Sequence, residues 1–297
     1  MPYLILASLV WAFSFGLIKL YLPGVPPALV SVVRLALALL VFLPFWRPAR
    51  LPGRLAAGLA LTGAVQYGLM YLCYLAAFPR LPAHAVALFT IFTPLWVMVF
   101  ERLGRGRLPG RFWIAAGLAV AGAAVLLFRG GAWSQQAWAG FLLVQGSNAC
   151  FAWGQVRYRT LAPRLGGVRE EQAYAWLYLG GLLAALPVLL LAGGTGQALA
   201  KLTATQAAVL VYLGVLASGV CFFWWNRGAR RVNAGMLAAM NNLKIPLAVV
   251  VALTVFGETA QPGRLTLSCL LLAAALLVAR HDGNQTVLSA SSAAKTA

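Results

Sequence analysis

Long apolar stretches separated by short polar connections make up most of the chain. Ten of them occur, each close to the roughly 20 residues that a helix needs to cross about 30 Å of hydrocarbon. Their approximate limits are 2–21, 26–46, 54–79, 82–101, 111–128, 137–157, 171–192, 204–226, 232–256 and 263–279. Because the runs are continuous rather than alternating, a transmembrane barrel is not expected. The pattern predicts an all-α integral membrane protein with ten transmembrane helices.

Composition and charge support a membrane protein. Of 297 residues, 62% are hydrophobic and 9% charged, whereas soluble domains carry about 25% charged residues. Alternating through ten spans puts sixteen of the 23 lysines and arginines on the N-terminal side and five on the other. The positive-inside rule then places both termini in the cytoplasm, in a bacterial inner membrane. This topology explains the net charge of +18, so the expected partner is the lipid bilayer and not nucleic acid.

The chain reads as two related halves. Pro94 and Pro246 lie 152 residues apart in similar surroundings, and "FSFG" at 13–16 resembles "FAWG" at 151–154. We therefore predict two five-helix repeats, residues 1–130 and 135–281, followed by a disordered tail, 282–297. Since five is odd, the second repeat must be inverted in the membrane, with a central cavity between the repeats. The two prolines are candidate hinges, because proline interrupts helix hydrogen bonding.

Lys244 is the strongest candidate for a binding residue. It lies near the middle of the ninth run, where a lysine costs roughly 2.5–3.5 kcal/mol on insertion scales. One interpretation is that it faces the cavity and binds a substrate carboxylate, with Asn241 and Asn242 beside it. The alternative is structural: Lys244 bonds carbonyls freed by Pro246, or reaches Asn241.

Other polar and aromatic side chains inside the runs could also contact a substrate. These further candidates are His84, Trp11, Phe15, Tyr67, Tyr71, Asn148 and Trp153. The histidine could titrate near neutral pH or simply pack through hydrogen bonds. Flat aromatic faces can hold an apolar group or a cation, although such rings also form interfacial belts and lipid-facing surfaces.

Several kinds of chemistry have no matching motif. The five acidic residues lie at predicted loops or helix ends, so none is placed at the midplane to relay a proton or hold sodium. Phosphate-binding loops, catalytic motifs and the cysteine spacing of metal sites are also missing. We therefore expect no enzyme activity, no catalytic residue, no cofactor and no metal, and transport by facilitated diffusion or weak coupling.

Three short motifs resemble those of a known family. "RLALALL" at 34–40 lies in the second run, and a short basic turn followed by a helix with proline surrounds both Pro94 and Pro246. "FGETAQPGRL" at 256–265 matches the Gly-Glu that ends the fourth helix of a repeat. In order and spacing the chain resembles the drug/metabolite transporter superfamily, EamA type. Its aromatic richness is most similar to that of the YddG-type exporters of aromatic amino acids.

The resemblance implies both an architecture and an activity. Helices one to four of each repeat would line the cavity, the fifth and tenth would brace it, and Arg34 and Glu258 would be structural. Arg34 would join helices by bonding backbone carbonyls. The implied function is export of aromatic and other hydrophobic amino acids and related metabolites by alternating access, by a chain that could act as a monomer. Alternatives are a carrier of organic cations and other metabolites, a channel, or a membrane enzyme acting on lipid.

Overall fold

The computed structural model describes residues 2–48, 51–103, 110–127, 134–229 and 234–293, and their regular structure is entirely helical. Fourteen α-helices follow one another in this part of the chain. They are α1 (Pro2–Tyr21), α2 (Pro27–Phe42), α3 (Gly53–Gly63), α4 (Met70–Ala77), α5 (Ala83–Phe89), α6 (Thr93–Arg102), α7 (Gly110–Leu127), α8 (Gln135–Leu161), α9 (Glu170–Ala192), α10 (Thr195–Ala200), α11 (Ala204–Val211), α12 (Cys221–Ala229), α13 (Ala234–Thr254) and α14 (Pro262–Ala293).

Several helical stretches have the length and composition of membrane spans. Six within the described residues reach 19 residues or more: Pro2–Tyr21, Pro27–Phe45, Gly53–Ala77, Ala83–Arg102, Glu170–Ala192 and Ala204–Gly228. Shorter apolar stretches are Trp113–Val125, Lys244–Thr254 and Pro262–Ala275. All of these coincide with predicted runs, and the remaining run, 137–157, lies within α8. The all-helical multi-pass class is confirmed, while the count of ten spans and the inverted repeats stay predictions.

Two spans contain a stretch of wider π-helix that the sequence did not predict. Ala64–Leu69 joins α3 to α4, and Tyr212–Val220 joins α11 to α12, at similar places in the two predicted repeats. A π turn disturbs the regular bonding of nearby carbonyls. The Ser218 hydroxyl donates to the carbonyl five residues earlier at 2.6 Å, and Trp11 Nε1 donates to Ala217 O at 2.9 Å. Side chains thus supply partners for irregular backbone inside the membrane.

Helices α3 and α9 approach so closely that only glycine fits at the contact. A Cβ atom on Gly63 would lie 1.7 Å from the carbonyl oxygen of Leu177. One on Gly180 would lie 1.8 Å from the carbonyl oxygen of Ala60. Small residues permit this approach in membranes, where dispersion contacts rather than hydrophobic burial hold helices together.

Helices α7 and α14 pack against each other. Ala115, Ala119 and Ala123 of α7 are at most 1% exposed, so these small residues form the packing face of the helix. Ser268 Oγ donates to the carbonyl of Gly122 at 2.8 Å across this contact.

Helix α14 continues to Ala293, past the predicted start of a disordered tail at 282. The sequence from 284 to 293 has no proline or glycine, so it contains no strong helix breaker. The side chains of 279–293 and the residues 294–297 lie outside the described part.

A polar cluster joins α1, α5 and the loop after α13. Lys19 Nζ, on the last turn of α1, donates to the carbonyls of Phe78 at 2.6 Å and Leu81 at 3.0 Å. Glu258 accepts the backbone N–H groups of Ala83 at 2.7 Å and His84 at 3.0 Å. The carboxylate therefore caps α5, whose first N–H groups have no helical partner.

His84 adds a third contact to the same carboxylate. Its Nδ1 lies 2.7 Å from Glu258 Oε2, and both side chains are largely buried. Burial alone would raise the pKa of Glu258, but the bonds from the His84 side chain and the two backbone N–H groups outweigh it. The pKa is therefore held below its usual value. The carboxylate form of Glu258 thus stabilises the fold at neutral pH.

A simpler ion pair joins α6 to α8. Arg159 Nη1 lies 2.8 Å from Glu101 Oε1, and the two side chains are 40% and 46% exposed. An exposed pair of this kind contributes at most about 1 kcal/mol.

Adding one methyl group at the α3–α9 contact should be costly. We expect Gly180→Ala to lower the thermal unfolding midpoint in detergent, because relieving the overlap costs about 1–3 kcal/mol. Gly117→Ala on α7 is the matched control, since a Cβ atom there meets nothing within 4 Å. Equal midpoints for the two variants would contradict the close approach.

Replacing Glu258 by glutamine should destabilise the protein in a pH-dependent way. A depressed carboxyl pKa contributes stability above the unfolded value of about 4.3, and this is lost as pH falls through the folded value. The difference in unfolding midpoint between wild type and Glu258→Gln should therefore be largest at pH 7 and become smaller below about pH 4.3. Glu101→Gln is the control, and a comparable loss there would argue against the cap.

Candidate functional site

A cavity lies among α1, α2, α4, α6, α8, α12 and α13. It encloses about 580 Å³ of space not filled by atoms, part of it open to solvent. Its lining contains two cations, a set of aromatic rings, Met70 and several uncharged polar groups.

Aromatic rings form a continuous wall of the cavity. The rings in the lining are Trp11, Phe15, Tyr71, Tyr74, Phe151 and Phe222. Phe222 is central, with ring centroids 4.9 Å from Trp11, 5.7 Å from Phe151 and 6.3 Å from Tyr71. These separations are typical of packed aromatic pairs, so the rings together form an apolar surface. Such a surface can hold a flat or apolar group of a ligand.

Lys244 projects into this wall. Lys244 is 8% exposed, and its Nζ lies 5.3 Å from the Trp11 ring centroid and 5.8 Å from that of Phe151. Among the described side chains, no carboxylate lies within ion-pair distance of Nζ. Contact with two rings is worth about 0.5–2 kcal/mol each, against several kcal/mol for desolvating an ammonium group. The rings alone therefore leave the charge incompletely compensated.

The described contacts do not test the alternative role for Lys244. It required a bond to a carbonyl freed by Pro246, or to Asn241. The side chains of Asn241 and Asn242 lie outside the described residues, so their predicted contribution stays a prediction.

Arg34 is the second cation of the lining and is 3% exposed. Its Nε donates to Ser218 Oγ at 3.1 Å, and its Nη2 donates to the Tyr71 hydroxyl at 3.0 Å. The guanidinium carbon also lies 4.2 Å from the Tyr71 ring centroid. The expectation that Arg34 bonds backbone carbonyls was wrong: the wider turn around Ser218 presents a hydroxyl to it instead.

One helix is interrupted at the cavity wall. Helix α5 ends at Phe89, a 3₁₀ turn follows, and α6 begins at Thr93. Asn148 Nδ2 donates to Phe89 O at 2.8 Å, and Thr93 Oγ1 donates to Thr90 O at 2.7 Å. These bonds satisfy carbonyls that the interruption exposes.

The two candidate hinge prolines differ in setting. Pro94 lies in the first turn of α6, where its missing N–H removes no helical bond. Pro246 lies inside α13, which continues through it.

The structure brings five of the predicted binding residues to the cavity. They are Trp11, Phe15, Tyr71, Asn148 and Lys244. Trp11 and Phe15 share a face of α1 because they are four residues apart.

Three predicted binding residues lie outside the cavity lining. His84 contacts Glu258 instead. Tyr67 is fully buried behind the wall, with its ring 5.0 Å from Tyr178 and 5.1 Å from Phe222. Trp153 is half-buried on α8 and is not part of the lining. In α8 the helical period turns position 153 away from the face that holds Asn148.

Several lining residues were not among the predicted binding residues. They are Ser14, Met70, Tyr74, Thr90, Thr93, Ser147, Phe151 and Phe222, together with Arg34, which was predicted as structural. Helical spacing could have found some of them. Tyr74 follows Tyr71 by three residues, and Phe151 follows Asn148 by three, so each shares a face with a predicted residue. Met70 and Phe222 are apolar residues in apolar runs and carry no such signal.

The electrostatics of the cavity favour an anion. Its lining includes the cations of Arg34 and Lys244, and no carboxylate lines it within the described part of the chain. In surroundings of low dielectric constant such charges act strongly on a ligand. The arrangement can hold an anionic group beside a flat apolar one.

Comparisons with known proteins agree with a transport role. A Pseudomonas aeruginosa protein named "Probable biotin transporter" is 40% identical over 286 residues, covering 94% of this chain and 97% of its own. The "Biotin transporter" of Escherichia coli is 36% identical, covering 94% and 93%. A "Probable terminal-alkyne amino-acid exporter" of Streptantibioticus cattleyicolor is 29% identical, covering 94% and 92%.

One solved crystal structure and one protein family also match this chain. The crystal structure matches 96% of this chain and 97% of its own with a TM-score of 0.65 and 20% identity, a likeness that shows the fold alone. The EamA-like transporter family matches two segments, residues 1–128 and 139–280. The chain belongs to this family, the EamA-like transporters.

Proposed function

We propose that this membrane transporter carries a small carboxylate with a compact, largely apolar ring system, and that biotin is its first candidate substrate. The observation that carries the proposal is Lys244, a cation between two rings with no carboxylate partner among the described side chains. Biotin has a carboxylate on an aliphatic chain and a fused bicyclic ring. The relatives named biotin transporters span nearly the whole chain, which supports the same substrate.

Amino acids are the second candidate. A relative at 29% identity is named as an amino-acid exporter. An amino acid, however, brings an ammonium group as well as a carboxylate. Two cations and no described carboxylate in the lining disfavour that second charge, and they disfavour an organic cation more strongly. The aromatic amino acids inferred from composition are therefore ranked behind biotin.

The side-chain contacts at the two ends of the helix bundle fit transport by alternating access. The cluster of Lys19, His84 and Glu258 ties together one end, and the pair of Glu101 and Arg159 joins helices near the other. If the halves are inverted repeats, these contacts would close opposite sides of the cavity in turn. The two family matches and the two π-helical stretches support the repeats. The interruption before Pro94 and the proline at 246 are the proposed bending points.

The proposed setting is the bacterial inner membrane with both termini in the cytoplasm. The bias of sixteen basic residues to five supports this orientation. The relatives are named transporters, which fits the absence of enzyme activity proposed here.

Removing the charge of Lys244 should weaken transport without unfolding the protein. A charge-assisted bond to a carboxylate is worth roughly 1.5–3 kcal/mol, so Lys244→Met should lower apparent affinity for biotin about ten- to a hundredfold. Folding should be intact, because the change removes a buried charge rather than its partner. Uptake of labelled biotin into liposomes measures the effect.

Two controls make this test specific. Lys201→Met removes an exposed lysine on a connection and should transport biotin like wild type. Biotinamide, which lacks the carboxylate charge, should be a poor substrate for wild type and should be affected little by Lys244→Met. Wild-type biotin transport by Lys244→Met would refute the proposed role.

Net flux should follow the electrochemical gradient of the biotin anion alone. None of the described acids lies in the cavity lining, so we expect liposomes loaded with biotin to release it without an imposed proton or sodium gradient. Because the anion itself carries charge, the membrane potential is held at zero with valinomycin and equal potassium on both sides. A protonophore should then leave the rate unchanged within about twofold. Strict dependence on an imposed proton gradient would contradict the expectation, and the pair of His84 and Glu258 would then be examined first.

A further inference from the structure

We infer that Arg34 is a second binding group, which donates a hydrogen bond from Nη1 to a neutral carbonyl oxygen at the end of the ligand remote from its carboxylate. This inference rests on the proposed function and assigns the two cations different tasks. For biotin, the carbonyl oxygen is that of its cyclic urea.

One nitrogen atom of Arg34 is an unpaired donor. Nε and Nη2 of Arg34 bind Ser218 and Tyr71, whereas Nη1 is buried and has no acceptor among the described residues. Buried donors nearly always have a partner, so an exception calls for one that is missing. Arg34 lines the cavity, but Nη1 is buried beside it, so a ligand provides the acceptor once the Arg34 side chain shifts slightly toward the cavity.

The donors that remain on each cation decide which end of the ligand it holds. An arginine binds a carboxylate best through two parallel bonds from two nitrogen atoms. Nε of Arg34 already donates to Ser218, and Nη2 already donates to Tyr71. A fork from Nε and Nη2 is therefore occupied, and one from Nη1 and Nη2 would depend on the second N–H group of Nη2. The ammonium of Lys244 contacts only rings among its described contacts, and it has three donors to offer. The carboxylate is therefore assigned to Lys244 and the single acceptor to Arg34.

Aromatic rings separate the two cations. Lys244 lies over Trp11 and Phe151, and Arg34 lies over Tyr71. Each of these three rings contacts Phe222. A ligand that spans from one cation to the other thus crosses an apolar surface. The matching class is an acid with an apolar middle and a carbonyl group at the far end.

Four compounds separate these features in a binding experiment. Purified protein in lipid nanodiscs is loaded with radiolabelled biotin, which is then displaced by unlabelled ligands. Desthiobiotin keeps the cyclic urea and the carboxylate but lacks the sulfur ring. Lipoic acid keeps a sulfur ring and the carboxylate chain but has no ring carbonyl. Biotinamide keeps the urea and loses the carboxylate charge.

Wild type should bind biotin and desthiobiotin within a few-fold of each other, and lipoic acid at least about tenfold more weakly. Arg34→Lys keeps the charge and loses the planar donor. It should weaken biotin and desthiobiotin about tenfold and lipoic acid less than twofold. Arg80→Lys, an exposed arginine outside the cavity, is the matched control and should change nothing. The wild-type comparison stands even if the Arg34 variant fails to fold.

Each other outcome overturns a defined claim. If wild type binds biotin and lipoic acid equally, Nη1 is satisfied by water and the inference is wrong, while the proposed function stands. If Arg34→Lys weakens all carboxylate ligands by the same factor, Arg34 only supports the cavity and the inference is again wrong. If wild type does not bind biotin at all, the proposed function fails and the inference fails with it.

Discussion

A buried cation that has no counter-charge among the described side chains is the constraint on which the rest of this structure depends. Lys244 meets it by lying between the rings of Trp11 and Phe151. Arg34 meets it with two side-chain bonds and a third ring. Neither set of contacts includes a negative charge. The positive potential of both cations therefore remains in the cavity and can attract an anionic ligand. The same contacts fix α1, α2, α8 and α13 around that cavity.

Irregular backbone is a second feature that depends on the side chains of the cavity. The helix interruption at Thr90 lies at the cavity wall, and the π-helical stretch around Ser218 bonds to Arg34 and Tyr71 of the lining. Both depend on side chains to satisfy carbonyls. Asn148 and Trp11 serve this purpose while also lining the cavity. A change at either residue would therefore alter the helix path as well as the contact surface.

The sequence predicted the helices and part of the cavity, because hydrophobic run length and a midplane charge are local properties. Runs such as 2–21 and 171–192 agree with α1 and α9 within a residue. Lys244 was identifiable because the cost of its charge depends on depth alone. Contacts between residues 174 positions apart, such as that of His84 with Glu258, are not encoded in any local pattern.

Rotation about a helix axis was the main obstacle within the site. The π-helical stretch Ala64–Leu69 shifts the helical phase, so Tyr67 is buried behind the wall while Tyr71 lines the cavity. Aromatic content is a weak guide to the substrate for a related reason. Many of the rings pack on each other outside the cavity, such as Phe42 and Tyr174, whose ring centroids are 5.3 Å apart. Such rings carry no information about the ligand.

A structure of the protein with bound biotin tests the central claim most directly. The account predicts density in the cavity against Phe222, with the carboxylate within about 3 Å of Lys244 Nζ and the urea oxygen toward Arg34. Biotin bound with its carboxylate on Arg34, or outside this cavity, would contradict the account.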